Sequence, residues 1–209
     1  MKRILFQGDS ITDTNRFVDE IEKKGMGYPL LVSARLGYEC TGKYEFINRG
    51  ISGNRIRDVY GRIDEDILEL KPDFMSLLVG VNDASHELKN GNVDDLEEFK
   101  KTYEALLIKV KTTLPDIKIM ILEPFVLKGY ETDFNWSLYR GEVEKHAECV
   151  KEISKKFEIP FVSLQAEFDN KAKNSSAEMW LRDGIHPTPA GHELIARSWL
   201  ETFNSYILR

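Results

Sequence analysis

Five short apolar segments alternate along the chain with longer segments whose apolar residues recur at helical spacing. The short segments are residues 4–6, 45–48, 74–79, 117–122 and 159–164. Several of them are almost entirely apolar, which is typical of strands that are covered on both faces of a sheet. We therefore predict five buried strands that are joined by helical connections.

Between the predicted strands, apolar side chains fall three and four positions apart, as they do along one face of an α-helix. Three such stripes are Ile56, Val59, Tyr60, Ile63, Ile67 and Leu70; Leu96, Phe99, Tyr103, Leu107, Val110 and Leu114; and Val143, Ala147, Val150, Ile153 and Phe157. This alternation predicts an α/β fold, a three-layer α/β/α sandwich around a five-stranded parallel sheet. No repeat or Pro/Gly/Ser-rich linker interrupts it, so we expect residues 1–209 to form a single domain.

The charge balance and the cysteines argue against several classes of protein. The net charge is −6, from 29 Lys and Arg against 35 Asp and Glu, and no long basic stripe suggests nucleic-acid binding. Cys40 and Cys149 form no CxxC motif, which disfavours a disulfide scaffold or a zinc knuckle. Residues 4–6 are too short an apolar run for a signal peptide, and no stretch approaches the ~18 apolar residues of a membrane helix. We expect a cytoplasmic protein without nucleic-acid or membrane partners. The sequence leaves open whether the protein forms a homo-oligomer.

Polar segments follow the predicted strands at the edge where such folds bind ligands. In a parallel α/β sheet, ligands lie outside the carboxyl ends of the strands. Residues 8–13, 48–54 and 80–83 follow the first three strands, and residues 183–187 precede the last predicted helix, from where they can fold back to the same edge. We expect these four segments to build the functional site.

Ser10, Asp183 and His186 have the residue types and spacing of a nucleophile, an orienting acid and a base. A nucleophilic serine must be exposed just beyond a strand and needs a base to take its proton. Asp183 precedes His186 by three residues in a glycine-containing loop, so its carboxylate can turn back onto one ring nitrogen and leave the other for Ser10. Alternatively, Ser10 is a helix N-cap, and an isolated Asp-x-x-His is common by chance.

The other three histidines are weaker candidates for the base. His146 lies within a helical stripe, and His86 has no clear orienting acid. His192 falls in the last predicted helix, where packing or capping is the expected role. We therefore assign the role of base to His186.

Acyl transfer by a serine also needs hydrogen-bond donors for the developing oxyanion, and losing one such donor costs ~10²–10³ in rate. Gly53 suits a backbone N–H that approaches the substrate closely, because glycine has no side chain. Asn82 can supply an amide donor, and the backbone N–H of Ser10 a third. Gly53 and Asn82 are also ordinary turn residues, so the indication comes from the four segments together.

This set of motifs resembles that of the SGNH (GDSL) hydrolases, in the order in which that family has them. The matching residues are Gly8-Asp9-Ser10, Gly53, Gly80-Val81-Asn82-Asp83 and Asp183-x-x-His186. The resemblance implies a five-stranded parallel sheet in a flavodoxin-like sandwich. It also implies Ser10 as nucleophile, His186 as base and Asp183 as its orienting acid. The implied oxyanion hole is formed by the Ser10 N–H, the Gly53 N–H and the Asn82 side chain.

A narrower resemblance links the chain to the intracellular bacterial acetylxylan esterases. It is carried by residues 8–13, residues 50–54 with Arg57-Asp58, residues 71–73, and His186-Pro187 with Ala190-Gly191-His192. It implies removal of acetyl groups from xylo-oligosaccharides or similar sugars, with a small acylated carbohydrate as the partner. The candidate substrate-lining residues are Asp9, Trp136, Tyr139 and Trp180. The aromatic residues of the polar loop at 125–140 can equally pack that loop down or form a subunit contact.

Three other functions stay open on the sequence. The same scaffold can carry a lysophospholipase, a thioesterase or an arylesterase, because a fold does not fix the substrate. A flavodoxin-like module could bind phosphate, or hold magnesium with Asp9, Asp13 and Asp83, although no GxxxxGK[ST] loop follows the first strand. A metal-dependent deacetylase using His186 and His192 is disfavoured, because their spacing matches no helical ligand pair. For a serine hydrolase we expect no metal and no organic cofactor.

Overall fold

Five parallel strands form one sheet in the computed structural model, which describes residues 1–17, 23–90 and 96–207. They are β1 (Lys2–Gly8), β2 (Tyr44–Asn48), β3 (Phe74–Leu78), β4 (Lys118–Leu122) and β5 (Phe161–Val162). Their spatial order is β2-β1-β3-β4-β5, and every neighbouring pair is parallel. The predicted sheet is therefore confirmed. The order of the strands reverses between β1 and β3, which is the switch point at which such sheets bind ligands.

Helices connect the strands and cover both faces of the sheet. They are α1 (Ser10–Asp13), α2 (Tyr28–Glu39), α3 (Ile56–Gly61), α4 (Val81–Asn90), α5 (Leu96–Thr113), α6 (Trp136–Lys156), α7 (Gln165–Ala172) and α8 (Pro189–Thr202). Short 3₁₀ or π turns occur at Asp133–Asn135, Ala177–Met179, Asp64–Leu68 and Phe203–Ile207. Across these described ranges, no helix combines the length and the apolar character that a membrane crossing requires.

Side chains of β1 show how the sheet separates two cores. Ile4 and Phe6 point to one face, where they are buried with residues of α2, α7 and α8. Leu5 points to the other face, where it is buried with residues of α3, α5 and α6. Because both faces are covered, the strands can be almost entirely apolar, as the sequence pattern indicated.

Two predicted elements are clearly shorter in the structure than expected. The strand predicted at 159–164 pairs only at Phe161–Val162, because the backbone N–H groups of Leu164 and Gln165 donate to the Glu123 carboxylate at 2.6 and 2.9 Å instead of to the sheet. The apolar stripe at 56–70 is not one helix. It divides at Gly61 into α3 and a π turn, in keeping with the low helix propensity of glycine.

Candidate active site

Ser10 is the first residue of α1 and lies directly beyond the carboxyl end of β1. The residue between them, Asp9, is the helix N-cap, because its carboxylate accepts a hydrogen bond from the Ile11 N–H at 3.0 Å. Asp9 is only 1 % exposed, and burial raises the pKa of its carboxyl to about 7. The structure thus corrects the expectation that Asp9 lines the substrate site. Its carboxyl lies beneath the site and holds the turn that presents Ser10.

The side chains of Ser10, His186 and Asp183 form a hydrogen-bonded triad. Ser10 Oγ lies 3.0 Å from His186 Nε2, and His186 Nδ1 lies 2.7 Å from Asp183 Oδ2. Three residues that are far apart in the chain therefore meet with the spacing that proton transfer from a hydroxyl requires. An ionised carboxylate can only accept hydrogen bonds, so Nδ1 carries the hydrogen and Nε2 is free to take the serine proton.

Asp183 is held in its ionised form by the loop that carries it. Its Oδ1 accepts hydrogen bonds from the backbone N–H groups of Ile185 at 2.9 Å and His186 at 2.8 Å. Partial burial raises the pKa of Asp183, but the hydrogen bonds from His186 and Ile185 outweigh it and place the pKa below its usual range. Asp183 can therefore fix the orientation of the His186 ring and stabilise that ring once it is protonated.

The loop after β4 supports the loop that carries Asp183. Leu127 N–H donates to the Gly184 carbonyl and Glu131 N–H donates to the Asp183 carbonyl, both at 2.9 Å. Gly184 has a φ of +99°, and a Cβ on it would lie 2.6 Å from the Thr132 hydroxyl, so no larger residue fits without movement. The segment at 125–140 therefore helps to position Asp183.

The three aromatic residues predicted to line the substrate site lie elsewhere. Tyr139 is 2 % exposed and its hydroxyl is hydrogen-bonded to Ser85. Trp136 is half-buried against the core. Trp180 lines a separate groove between α7 and α8, and its Nε1 donates to Ser175 Oγ at 2.7 Å. The sequence places these rings near strand ends but contains no periodicity that shows which way a loop side chain turns.

Gly53 and Asn82 lie in the wall of the cavity that contains Ser10 and His186. Gly53 has a φ of +82°, a conformation that favours glycine. Asn82 is the second residue of α4, and its Nδ2 donates to the Asn54 carbonyl at 3.1 Å. Because an amide nitrogen carries two hydrogens, one N–H remains to meet an oxyanion. The donors expected from the sequence are thus brought to one cavity with the serine.

One carboxylate ties the loop of Gly53 to the helix of Ser10. Asp13, at the end of α1, accepts from both the backbone N–H and the hydroxyl of Ser52. Gly50 permits this contact, because a Cβ there would lie 2.4 Å from the Asp13 nitrogen. Asp13 was expected from the sequence only as a possible metal ligand, although its place three residues after Ser10 was a signal of a local role.

The acidic residues near the site are used as hydrogen-bond acceptors. The Asp83 carboxylate accepts from the Ile56 N–H at 3.1 and 3.3 Å, and burial raises the pKa of Asp83 to about 7. Asp9, Asp13 and Asp83 each accept from a different backbone segment. In the part of the chain that the structure describes, no three His, Cys, Asp or Glu side chains are placed to hold a metal ion.

Among the cavity residues that were not assigned to the site from the sequence, two carry ionisable side chains. His192, expected to pack or cap, lies in the cavity wall beside Ser10 and His186. Arg182, directly before Asp183, also lines the cavity and brings a positive charge to its opening. Its position next to the predicted acid was a signal in the sequence that Arg182 belongs to the site. The cavity has a volume of about 480 Å³.

A serine, histidine and aspartate at the switch point of a five-stranded α/β/α sheet, with candidate donors for an oxyanion beside them, are typical of serine ester hydrolases. The sequence model of the GDSL-like Lipase/Acylhydrolase family matches residues 6–194, and the chain belongs to that family.

Known relatives agree with this assignment. The chain is 33% identical to an acetylxylan esterase from Geobacillus stearothermophilus, over 95% of this chain and 92% of that protein. A solved structure of that esterase aligns with a TM-score of 0.82 at 30% identity, over 96% of this chain and 93% of the other. Further structures of it are catalytic mutants in which a serine, an aspartate or a histidine is replaced by alanine. A GDSL-like lipase from Parabacteroides merdae aligns with a TM-score of 0.90 at 33% identity, over 97% and 95%.

Proposed function

We propose that the protein is a carbohydrate acetyl esterase that removes acetyl groups from xylo-oligosaccharides or similar acetylated sugars through an acyl-enzyme intermediate. The observation that carries this proposal is the 3.0 Å contact between Ser10 Oγ and His186 Nε2, with Asp183 on the other ring nitrogen. The 33% identity to an acetylxylan esterase supports the choice of an acetylated sugar as substrate.

In the first half of the reaction, Ser10 Oγ attacks the ester carbonyl while His186 Nε2 takes the hydroxyl proton. The carbonyl oxygen becomes an oxyanion that accepts hydrogen bonds from the Ser10 N–H, the Gly53 N–H and the Asn82 amide. The C–O bond to the sugar then breaks, and His186 gives its proton to the leaving sugar oxygen. The sugar departs as an alcohol and the acetyl group stays on Ser10.

In the second half, water replaces the sugar at the same carbon. His186 takes one proton from that water as its oxygen attacks the acetyl carbonyl, and the same donors hold the new oxyanion. The bond to Ser10 then breaks, and His186 returns the proton to Ser10 Oγ. The products are acetic acid and free enzyme, and Asp183 keeps the ring oriented in both halves.

The test is hydrolysis of acetylated xylo-oligosaccharides and of phenyl acetate by the wild-type protein and by Ser10→Ala. We expect wild-type turnover of both substrates and a loss of at least ~10⁴-fold in kcat for Ser10→Ala. A serine-reactive phosphonate should label Ser10 with one equivalent per chain and stop activity, whereas a chelator should not. Full activity of Ser10→Ala would contradict the mechanism.

A chain-length series separates this function from its rivals on the same scaffold. We expect acetyl esters to be cleaved faster than octanoyl esters. Faster cleavage of octanoyl esters or of acyl thioesters would instead indicate a lysophospholipase or a thioesterase. In either case the Ser10 mechanism would stand and the sugar substrate would not.

A further inference from the structure

We propose that His192 is a substrate-binding residue whose Nε2–H donates a hydrogen bond to an oxygen of the leaving sugar. The inference rests on the proposed esterase function and adds a contact by which the same cavity recognises the alcohol part of its substrate. His192 is a different residue from the proposed nucleophile, base and oxyanion donors.

The hydrogen bond that the His192 ring accepts fixes its tautomer. His192 lies in the first turn of α8, and its Nδ1 accepts a hydrogen bond from the backbone N–H of Tyr28, the first residue of α2, at 3.2 Å. A ring nitrogen that accepts carries no hydrogen, so the hydrogen of the neutral ring is on Nε2. The fold thus determines that Nε2 is a donor.

The Nε2 donor of His192 faces the cavity. His192 is 6 % exposed, and its exposed part lines the cavity that holds Ser10 and His186. Within residues 1–17, 23–90 and 96–207, no protein group accepts a hydrogen bond from Nε2. This atom is not fully buried, so a molecule in the cavity can reach it. Nδ1 is already paired, so Nε2 is the polar atom with which His192 can meet a molecule in the cavity.

Gly27 makes room for the ring in this orientation. A Cβ on Gly27 would lie 2.8 Å from Cε1 of His192, the ring carbon between the two nitrogens. The ring is therefore packed against backbone on one side and hydrogen-bonded to Tyr28, which fixes the direction of Nε2. A fixed donor gives up little side-chain entropy when it binds a ligand.

The charge state supports a donor rather than a second base. Burial, followed by repulsion from Arg182 and from His186 when that ring is protonated, lowers the pKa of His192 to about 4. The ring is neutral near pH 7, so it keeps its hydrogen on Nε2 and cannot take a proton from Ser10 through the paired Nδ1.

The position relative to His186 selects the leaving group as the partner. His186 must deliver its proton to the sugar oxygen, so the sugar lies on the His186 side of the ester. His192 comes from the helix that starts three residues after His186, whereas the proposed oxyanion donors come from elsewhere, Gly53 from the loop after β2 and Asn82 from α4. A neutral N–H on this side matches the hydroxyl and ring oxygens of a sugar.

The experiment compares two substitutions of His192 on two substrates. In His192→Asn, the side-chain oxygen can still accept from the Tyr28 N–H in place of Nδ1, but the shorter side chain cannot reach the position of Nε2. His192→Gln can reach that position with its amide nitrogen. The substrates are an acetylated xylo-oligosaccharide and phenyl acetate, whose leaving group has no further oxygen.

We expect His192→Asn to lower kcat/KM on the oligosaccharide roughly five- to tenfold, mainly through KM, which is the size of one neutral hydrogen bond. Its kcat/KM on phenyl acetate should stay within about twofold of wild type, and its melting temperature should be close to wild type. His192→Gln should recover part of the loss on the oligosaccharide.

Equal losses on both substrates, or no loss on either, would overturn the role of His192 while leaving the esterase function intact. If the wild-type protein cleaves neither substrate, the esterase function itself is wrong and the role of His192 with it. The two failures are distinguished by the wild-type rates alone.

Discussion

Asp13 accepts two hydrogen bonds from Ser52, one from its backbone N–H at 3.0 Å and one from its hydroxyl at 2.6 Å. Asp13 ends the short helix that Ser10 begins, and Ser52 immediately precedes Gly53. One buried carboxylate therefore holds the proposed nucleophile and a proposed oxyanion donor at a fixed separation.

Replacing Asp13 by alanine should lower kcat on phenyl acetate by about 10²-fold, because a displacement of about 1 Å at a reacting centre has this effect. Ser52→Ala is the matched control. It keeps the backbone hydrogen bond to Asp13 and should stay within about threefold of wild type. Steady-state kinetics on both variants measures the difference. A kcat for Asp13→Ala equal to that of Ser52→Ala would show that the carboxylate does not position the loop.

Replacing Asp183 by asparagine should lower kcat by about 10⁴-fold with little change in melting temperature. The two backbone N–H groups that bind Oδ1 should keep the asparagine oxygen there and turn its NH₂ group toward His186 Nδ1. The ring must then carry its hydrogen on Nε2, where it cannot take the Ser10 proton. His186→Ala should cost more, about 10⁶-fold. The prediction fails if Asp183→Asn keeps more than a tenth of wild-type kcat.

Replacing Gly53 by alanine should lower the free energy of unfolding by about 1 kcal/mol, through backbone strain at φ +82° and not through crowding. Gly37, within α2, is the control, because a Cβ has open space at both positions. Gly37→Ala should raise stability by about 0.5–1 kcal/mol. Urea unfolding of both variants gives the two values. Changes of the same sign would contradict the role assigned to the backbone of Gly53.

Replacing Asp83 by asparagine should make stability less dependent on pH. The folded-state pKa of about 7 lies above the unfolded value near 3.8, so the folded protein binds more protons between these values and loses stability as pH rises from about 4 to about 7. Asparagine keeps an oxygen for the Ile56 N–H and has no proton to lose. A pKa change of one unit corresponds to about 1.4 kcal/mol. From pH 5 to pH 8, the free energy of unfolding of the variant should therefore rise relative to that of wild type by at least that much.

Urea unfolding at the two pH values tests this prediction. Asp9 has a similarly raised pKa and still titrates in the variant, so the pH dependence should be reduced and not removed. Parallel stability profiles for Asp83→Asn and wild type would show that Asp83 does not titrate in this range.

The sheet could be predicted from the sequence because buried parallel strands are continuous apolar runs. The least accurate strand prediction was that at residues 159–164. There the carboxylate of Glu123, which is distant in sequence, accepts hydrogen bonds from backbone N–H groups that a longer strand would donate to the sheet. The contact could not be read from a local pattern, because it joins residues about 40 positions apart.

In the candidate site, too, the residues of local motifs were predicted correctly in position, and the residues that depend on distant packing were not. Ser10 and the pair Asp183 and His186 belong to short motifs whose geometry is local, and the structure places them in one triad. Trp136 and Tyr139 were assigned to the site by residue type, but their directions depend on the packing of an irregular loop. The catalytic roles, the single domain and the cytoplasmic location stay predictions.

Asp183 and His186 lie on one loop that a bridge between Leu181 and Pro187 closes, whereas Ser10 lies at the other end of the chain. The proposed acid and base are thus encoded together in one short piece of sequence. A recombination that exchanges this loop would therefore replace both groups together. Because Arg182, His186 and Pro187 of the loop also line the cavity, the same event would change the shape of the pocket as well as the proposed proton transfer.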